Sequence, residues 1–510
     1  MEFQFDRQGL WHVAKMAALL GVIIFMGNIV ADNLHTFITE QIMRKDSSVS
    51  VSAAVDTPQP KPHYQELSRD TLIYSSSSEV LEKQKELVAQ KSDFIFTDLT
   101  NMELQVYKQG EVTLSSRVLA RGKKNSLFET PSGYYKIQSK EENHFSTIGH
   151  VWMPWSMHFF GNYFIHGWPY YPDGTPVSEQ FSGGCIRLAD KDAIEIYKAA
   201  KTGMPILVYS GTTTAPIELT YFKKIEYNSK PIAPLALSAD AFLVADFDTG
   251  LVLLENNARA SYPIGSITKL MSALAGVETI SRFKVLTITK DVLDESEDPA
   301  GLIEDETFKT EDLLYPLILR SSNAIAKLFE QESYGLVKIM NQKARALGLH
   351  HTLFKDASGI SSENVSSAED IFKLIQFLAT SKKPIFDISG LKEYTLESIN
   401  KKKTHVWRNV NWLPEDDTFI GGKAGKTTAA GETMAGVFRV TFPEFEKRSV
   451  AIMVLQSKDR VSDVKKIIQY LGQNFVYGAS SLVKGDSPNG QNPPIHEGAS
   501  VYEAITNWVN

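Results

Sequence analysis

The sequence predicts a multidomain protein: an N-terminal transmembrane helix and stalk, then a mostly β domain, then an α+β domain. Three observations predict it. The chain has 510 residues, too many for one hydrophobic core. A long apolar run lies close to its start. The residue pattern then changes twice, to short alternating β runs near Asp93 and to paired strands with long helical segments near Leu235.

Composition narrows the class. Hydrophobic residues make up 43% and charged residues 22%, as in ordinary globular proteins. The net charge of −7 calls for no nucleic-acid partner, and Lys401 to Lys403 read as a solvated loop. The single cysteine, Cys185, excludes an intrachain disulfide and is compatible with an oxidising compartment.

The elements follow in order. Residues 11–31 read WHVAKMAALLGVIIFMGNIVA, apolar from Met16 to Ala31 except for Asn28, with Arg7 and Lys15 before them. A membrane span needs about 20 residues, and Lys15 can snorkel to lengthen this one. An uncleaved signal anchor over residues 1–31 is the favoured reading. The alternative, a cleaved signal peptide, has a shorter leading segment and a small-x-small site. Either exports the bulk of the chain. Residues 32–90 read as a Ser- and Pro-rich stalk that closes with a short helix in EVLEKQKELVAQ. In residues 91–212, β-rich runs break at Asn101 and at Gln109-Gly110, TPSGYYKI leads from a turn into a strand, and KDAIEIYKAAKTGMPILVYS reads as helix then strand. Residues 213–234 form a Pro/Thr-flanked connector. Residues 235–476 open with two short strands about Asp248-Thr-Gly250 and close with the strand RSVAIMVLQS and a helix. Residues 477–510 read as a disordered tail.

The cysteine stands in FSGGCIRL, residues 181–188. A thiol that attacks acyl carbons needs a base and an oxyanion site. His166, in FIHGW, lies 19 residues upstream, a separation that suits a strand, a loop and a return. Gly183 and Gly184 permit close backbone approach and present N–H groups, and Arg187 serves to orient the loop or to contact a carboxylate. A second reading takes His150, His158 and His166, spaced by eight, as metal ligands on one strand face; the simpler alternative is that the domain's histidines line a polar cleft. The match of His166-Gly167, a loop, and Ser182-Gly183-Gly184-Cys185-Ile186-Arg187 resembles the L,D-transpeptidase, or YkuD, family of peptidoglycan enzymes. That family carries a histidine where this chain has Gly183. The resemblance implies Cys185 as nucleophile, His166 as base and the Gly167 carbonyl as the group that orients it.

The later domain carries three short motifs in order. Ser266 and Lys269, at i and i+3, share one helix face, with Ser266 at the helix start where free N–H groups favour an oxyanion. Ser321 and Asn323 follow in RSSNAIAKLF, then Lys423 and Gly425 in IGGKAGKTTAAG. Together they resemble the D-alanyl-D-alanine carboxypeptidases, the low-mass penicillin-binding proteins with a serine β-lactamase-like α+β fold. The resemblance implies Ser266 as the acylated nucleophile and Lys269 as its base. It gives Ser321 and Asn323 proton relay and substrate amide binding, and Lys423 support of the proton network and the substrate carboxylate. The N–H groups of Ser266 and Lys426 would form the oxyanion hole. Ala424 departs from the family's hydroxyl residue, and Thr427 or Thr428 is placed to compensate.

Both resemblances imply one partner, the stem peptides of peptidoglycan, with β-lactams as inhibitors and no metal or cofactor. The expected protein is a bifunctional, membrane-anchored extracytoplasmic enzyme. The alternatives are a hydrolytic cross-link endopeptidase and a wall-binding or β-lactam-sensing protein whose sites do not turn over.

Overall fold

The computed structural model describes residues 63–67, 76–178, 182–211, 219–227, 230–293, 298–411, 417–442 and 447–479. The anchor expected at 1–31, most of the expected stalk and residues 480–510 of the expected tail lie outside them. Among the described residues no helix is long and apolar enough to cross a membrane.

Strand β1 (His63–Glu66) and helix α1 (Ser76–Ala89) precede the cysteine domain. That domain is built on two sheets. Strands β2 (Phe94–Asp98), β3 (Glu103–Lys108), β4 (Glu111–Arg117) and β5 (Gly133–Lys136) join a later strand in one of them. Strands β6 (Ser139–Ser146), β7 (Val151–Phe160), β8 (Tyr163–His166) and β9 (Ile186–Arg187) make the other, in that order. Helix α2 (Asp190–Ala199) then leads to β10 (Pro205–Tyr209), which completes the first sheet in the order β4-β3-β2-β10-β5 and runs parallel to β2. Ile95, Leu104, Met157, Ile165, Ile186 and Ile206 are buried in one core. Period-two alternation along β8 sends Tyr163 and Ile165 into that core and leaves Phe164 and His166 to line a cleft. Strands β8 and β9 are parallel, with His166 opposite Arg187, so the short β9 brings the residue after Cys185 back beside the histidine strand.

The expected connector holds a strand. Residues 219–227 form β11 (Leu219–Tyr227), which pairs with β1. The serine domain follows with β12 (Ala241–Asp246), β13 (Val252–Asn256), a single 3₁₀ turn at Gly265–Ile267, and helix α3 (Thr268–Thr279). Helix α3 is buried on nearly every face, as its run of Leu270, Met271, Ala273, Leu274 and Ala275 requires. Helices α4 (Asn323–Glu332) and α5 (Leu336–Ala346) pack against it, and α6 (Ala368–Ser381) packs on β12; Ser322 and Ser367 cap α4 and α6 through their hydroxyls. Strands β14 (Phe419–Thr427), β15 (Gly431–Thr441) and β16 (Lys447–Ser457) complete an antiparallel sheet of order β13-β12-β16-β15-β14. Helix α7 (Arg460–Asn474) packs on it.

Strand β17 (Phe475–Ala479) crosses the boundary expected between domain and tail and pairs with β11. The pairing has a local cause. Tyr221 and Phe222 of β11 are buried, and the Tyr221 hydroxyl donates to Asp246 Oδ2 at 2.6 Å, which Arg448 also holds at 2.8 Å. The connector is therefore sewn to the serine domain. The two domains also pack on each other, since Ala346 of α5 sits in the cysteine-domain core.

Candidate active sites

Cys185 and His166 line one cleft of about 430 Å³, together with Ser182, Gly183 and Arg187. His166 is buried, and its Nδ1 lies 2.6 Å from the Gly167 carbonyl oxygen. A carbonyl only accepts, so Nδ1 carries the proton and Nε2 keeps its lone pair. Burial pushes the His166 imidazole down to about 3 and the Cys185 thiol up to about 11. At neutral pH both groups of the pair are uncharged.

The turn that presents the thiol is tight. Gly184 has φ +118°, and a Cβ there would lie 2.2 Å from Tyr163 Cε1, so only glycine fits. Its N–H donates to Ser182 Oγ at 3.1 Å, and Ser182 Oγ donates to the Cys185 carbonyl at 2.5 Å. This N–H, expected to face an oxyanion, is thus held within the turn. Gly183 has open space where a Cβ would stand. The Arg187 guanidinium lies 5.6 Å from the centre of the Trp168 ring. The histidines of the alternative metal reading do not gather: His158 Nε2 donates to Gly161 O at 2.7 Å, and no metal-binding cluster occurs among the described residues. His144 and His158 flank Phe164 at the cleft, with ring centroids 4.6 and 4.8 Å away.

In the serine domain Ser266 sits in the 3₁₀ turn that feeds α3. Lys269 Nζ lies 3.1 Å from Ser266 Oγ, 2.7 Å from Asn323 Oδ1 and 2.5 Å from the Ser358 carbonyl oxygen. Lys269 is fully buried, and that burial brings its ammonium down to about 7 against the opposing pull of Asp356 and Asp298. A lysine so tuned is half neutral at neutral pH and can accept a proton from the hydroxyl beside it. Ser321 occupies the turn before α4 at φ +61°, an unusual conformation for serine, and makes no hydrogen bond to Ser266 or Lys269 among the described residues.

The β14 motif packs on the same turn. Gly425 lies against Ser266, and Lys426 N is 3.6 Å from where a Cβ on Gly265 would stand. Lys426 pairs with Glu432 at 2.9 Å, and Thr427 Oγ1 accepts from Ala430 N at 3.0 Å. Lys423 does not bond to the Ser266–Lys269 pair. Its ammonium donates to Asn411 Oδ1 and to the Ala424 carbonyl, both at 2.8 Å, and burial holds it well below the ordinary lysine range. Ala424, expected to mark a lost substrate contact, pairs across the sheet with Met434 and is buried in the same apolar cluster as Tyr221 and Phe438.

Three contributors escaped the sequence reading. Ser358 supplies a carbonyl to Lys269, and Asp356 builds that turn by accepting from the N–H groups of Ser358, Gly359 and Ser361. The Asp-x-Ser-Gly order is a readable turn signal. Asn411, which holds both Lys423 and the Ala424 N–H, carries no local signal.

Residues 92–208 match the family model of the L,D-transpeptidase catalytic domain, YkuD, and residues 227–450 match that of the D-alanyl-D-alanine carboxypeptidases, peptidase S11. The two matches follow one another in a single chain. The serine domain is 28% identical over 259 residues to a D-alanyl-D-alanine endopeptidase of Pseudomonas aeruginosa, covering 49% of this chain and 82% of that one. It is 27% identical over 232 residues to the D-alanyl-D-alanine endopeptidase of Escherichia coli, covering 43% and 72%. It is 26% identical over 257 residues to the D-alanyl-D-alanine carboxypeptidase DacF of Bacillus subtilis, covering 48% and 64%. Among solved structures, the Streptomyces K15 DD-transpeptidase aligns at 25% identity with a TM-score of 0.41, over 47% of this chain and 98% of that one. A YkuD domain beside an S11 domain supports a peptidoglycan-modifying activity.

Proposed function

We propose that the chain is a bifunctional peptidoglycan enzyme that works through two acyl-enzymes, one on Ser266 and one on Cys185. The observation that carries this reading is Lys269, a fully buried lysine brought to about 7 with its amine 3.1 Å from Ser266 Oγ. In the serine site the neutral amine takes the hydroxyl proton as Oγ attacks the carbonyl of the penultimate D-alanine. The terminal D-alanine leaves, and water releases the shortened stem. Asn323 holds the lysine and the substrate amide, and Ser321, which bonds to neither Ser266 nor Lys269 in the resting site, would relay the proton once substrate is bound. The N–H groups of Ser266 and Lys426 receive the oxyanion, Gly425 allows that approach, and Lys423 and Thr427 favour the substrate carboxylate.

In the cysteine site His166 Nε2 takes the thiol proton while the Gly167 carbonyl fixes the ring. Sulfur attacks the carbonyl of the third stem residue, the fourth residue leaves, and the acyl group passes to an amine of another stem. Gly184 and Arg187 position the loop. The anchor expected at residues 1–31 would hold both sites against the wall outside the cytoplasm.

The serine site would then make the tetrapeptide donor that the cysteine site uses. Given pentapeptide muropeptides, the wild type should form linkages between third stem residues. Ser266→Ala should form them only from tetrapeptide, and Cys185→Ala should accumulate tetrapeptide monomers. Equal linkage from pentapeptide by Ser266→Ala would remove the relay. A second reading, hydrolysis of cross-links at the serine site, is favoured by the endopeptidase names of two relatives. Conversion of cross-linked dimers to monomers without release of D-alanine from pentapeptide would select it.

A further inference from the structure

Three charged side chains are fully buried where the two domains meet: Glu278 at the end of α3, Lys343 on α5 and Lys382 just after α6. Buried charges without partners are expensive, so their partners show what such a site organises. Lys343 Nζ lies 3.0 Å from Glu278 Oε1 and 3.2 Å from the Tyr135 hydroxyl. Lys382 is more telling. An ammonium has three protons. All three go to the cysteine domain: to the Leu127 carbonyl at 3.0 Å, to the Glu129 carbonyl at 2.7 Å and to the Tyr163 hydroxyl at 3.0 Å. Glu278 Oε1, at 3.7 Å, balances the charge from the serine-domain side.

Those three acceptors belong to the two segments that enclose Gly184. A Cβ on Gly184 would lie 2.2 Å from the Tyr163 ring on one side and 3.1 Å from the Phe128 carbonyl on the other. Phe128 sits between the two carbonyls that Lys382 holds. The serine domain grips the same loop again through Arg282, whose guanidinium stacks 3.5 Å from the centre of the Phe128 ring. The 161–163 turn is tied down as well: Asn162 N donates to the Glu278 carbonyl at 3.2 Å, and Asn162 O accepts from the Cys185 thiol at 3.8 Å.

We propose that Lys382 is a positioning residue for the cysteine site, supplied by the serine domain. It clamps the 127–129 loop and Tyr163 about Gly184 and so fixes where the Cys185 sulfur stands. The cysteine domain braces its turn through Ser182 and borrows a further clamp, an ammonium, from its neighbour. The proposal rests on the reading of Cys185 as an acylated nucleophile.

The test uses the whole chain with Lys382→Met, which keeps an unbranched apolar stem out to Cε and removes the ammonium with its three protons. Acylation of Cys185 by a carbapenem should slow about tenfold to a hundredfold at saturation, with the half-saturating concentration unchanged. Alkylation of Cys185 by iodoacetamide should move the other way and quicken, because a loosened turn exposes the thiol. Labelling of Ser266 by a fluorescent penicillin should stay at the wild-type rate, which a general loss of folding would not allow. Tyr163→Phe, which keeps the ring and removes one of the three acceptors, should show the same two opposed shifts at smaller size, and it serves if Lys382→Met does not fold. Wild-type rates in both cysteine assays for a folded Lys382→Met protein would overturn the proposal. If the wild type itself takes no carbapenem on Cys185, the acyl-transfer reading fails by itself, and the alkylation rates still decide the clamp.

Discussion

Gly425 lies against the backbone of Ser266: a Cβ on it would stand 2.9 Å from the Ser266 nitrogen, 2.9 Å from the Ile264 carbonyl and 2.6 Å from Thr433 Oγ1. No neighbour there is a flexible chain end that can step aside. Gly425→Ala should push β14 away from the serine turn, with a stability loss of about 1–3 kcal/mol by overpacking. Penicillin labelling of Ser266 should fall at least tenfold, by the order of effect seen when an oxyanion donor is displaced. Carbapenem labelling of Cys185 should not change. A variant that labels Ser266 normally would show that β14 does not set the oxyanion geometry.

The pH dependence of the serine site follows from Lys269. Burial places its conjugate acid at about 7, below the ordinary lysine value, so the neutral base gains population as pH rises through 7. Acylation of Ser266 by a penicillin should rise with a midpoint near pH 7 and level off above it. Lys269→Arg, which stays protonated, should lose about 10²–10⁴ in acylation rate and the midpoint with it. A flat wild-type profile between pH 6 and 9 would rule out the lysine as base.

The cysteine site should behave differently. With the thiol near 11 and the imidazole near 3, no ion pair exists at rest. Iodoacetamide needs a preformed thiolate, so its rate should climb about tenfold per pH unit toward pH 11 with no plateau at lower pH. Acylation by a carbapenem, in which His166 removes the proton during attack, should stay nearly level from pH 5 to 9. A plateau of alkylation below pH 8 would indicate a resting thiolate and contradict this assignment.

Neighbouring glycines should differ sharply. Gly183 has no atom within 4 Å of a built Cβ, whereas Gly184 combines φ +118° with the Tyr163 ring at 2.2 Å. Gly183→His, the residue found in the resembled family, should fold with an unchanged melting temperature and alter the carbapenem half-saturation rather than the maximal rate. Gly184→Ala should lose cysteine acylation and melt lower. Equal tolerance of both would mean that the turn is not packed as described.

Local spacing made the candidate nucleophiles legible. Ser266 and Lys269 lie one helical turn apart, and His166 and Cys185 stand beside the glycines that their turns need, so a few contiguous residues carried both signals. The rest of the sites is held by contacts that cross the chain. Ser358 reaches Lys269 from 89 positions away, and Asn411 is identified only by what its side chain touches. Strand β11 was masked by its Thr- and Pro-rich flanks, because its partners lie at residues 63–66 and 475–479. Lys343 and Lys382 follow the same logic in reverse: charged residues read as surface, and only the fold shows that both are fully buried.

Strand β11 also decides how the chain would bear a mechanical pull. Strands β1 and β17 are both antiparallel to β11, so they run parallel to each other on either side of it. Tension applied before His63 against tension applied beyond Ala479 would draw these flanking strands in opposite senses along β11. Their hydrogen bonds would then be loaded together in shear, not peeled one at a time. Stretched between those two points, the chain should resist as a single unit and give way in one abrupt rupture, with the cysteine and serine domains undistorted until it happens; a gradual, stepwise extension in a single-molecule force trace would contradict this.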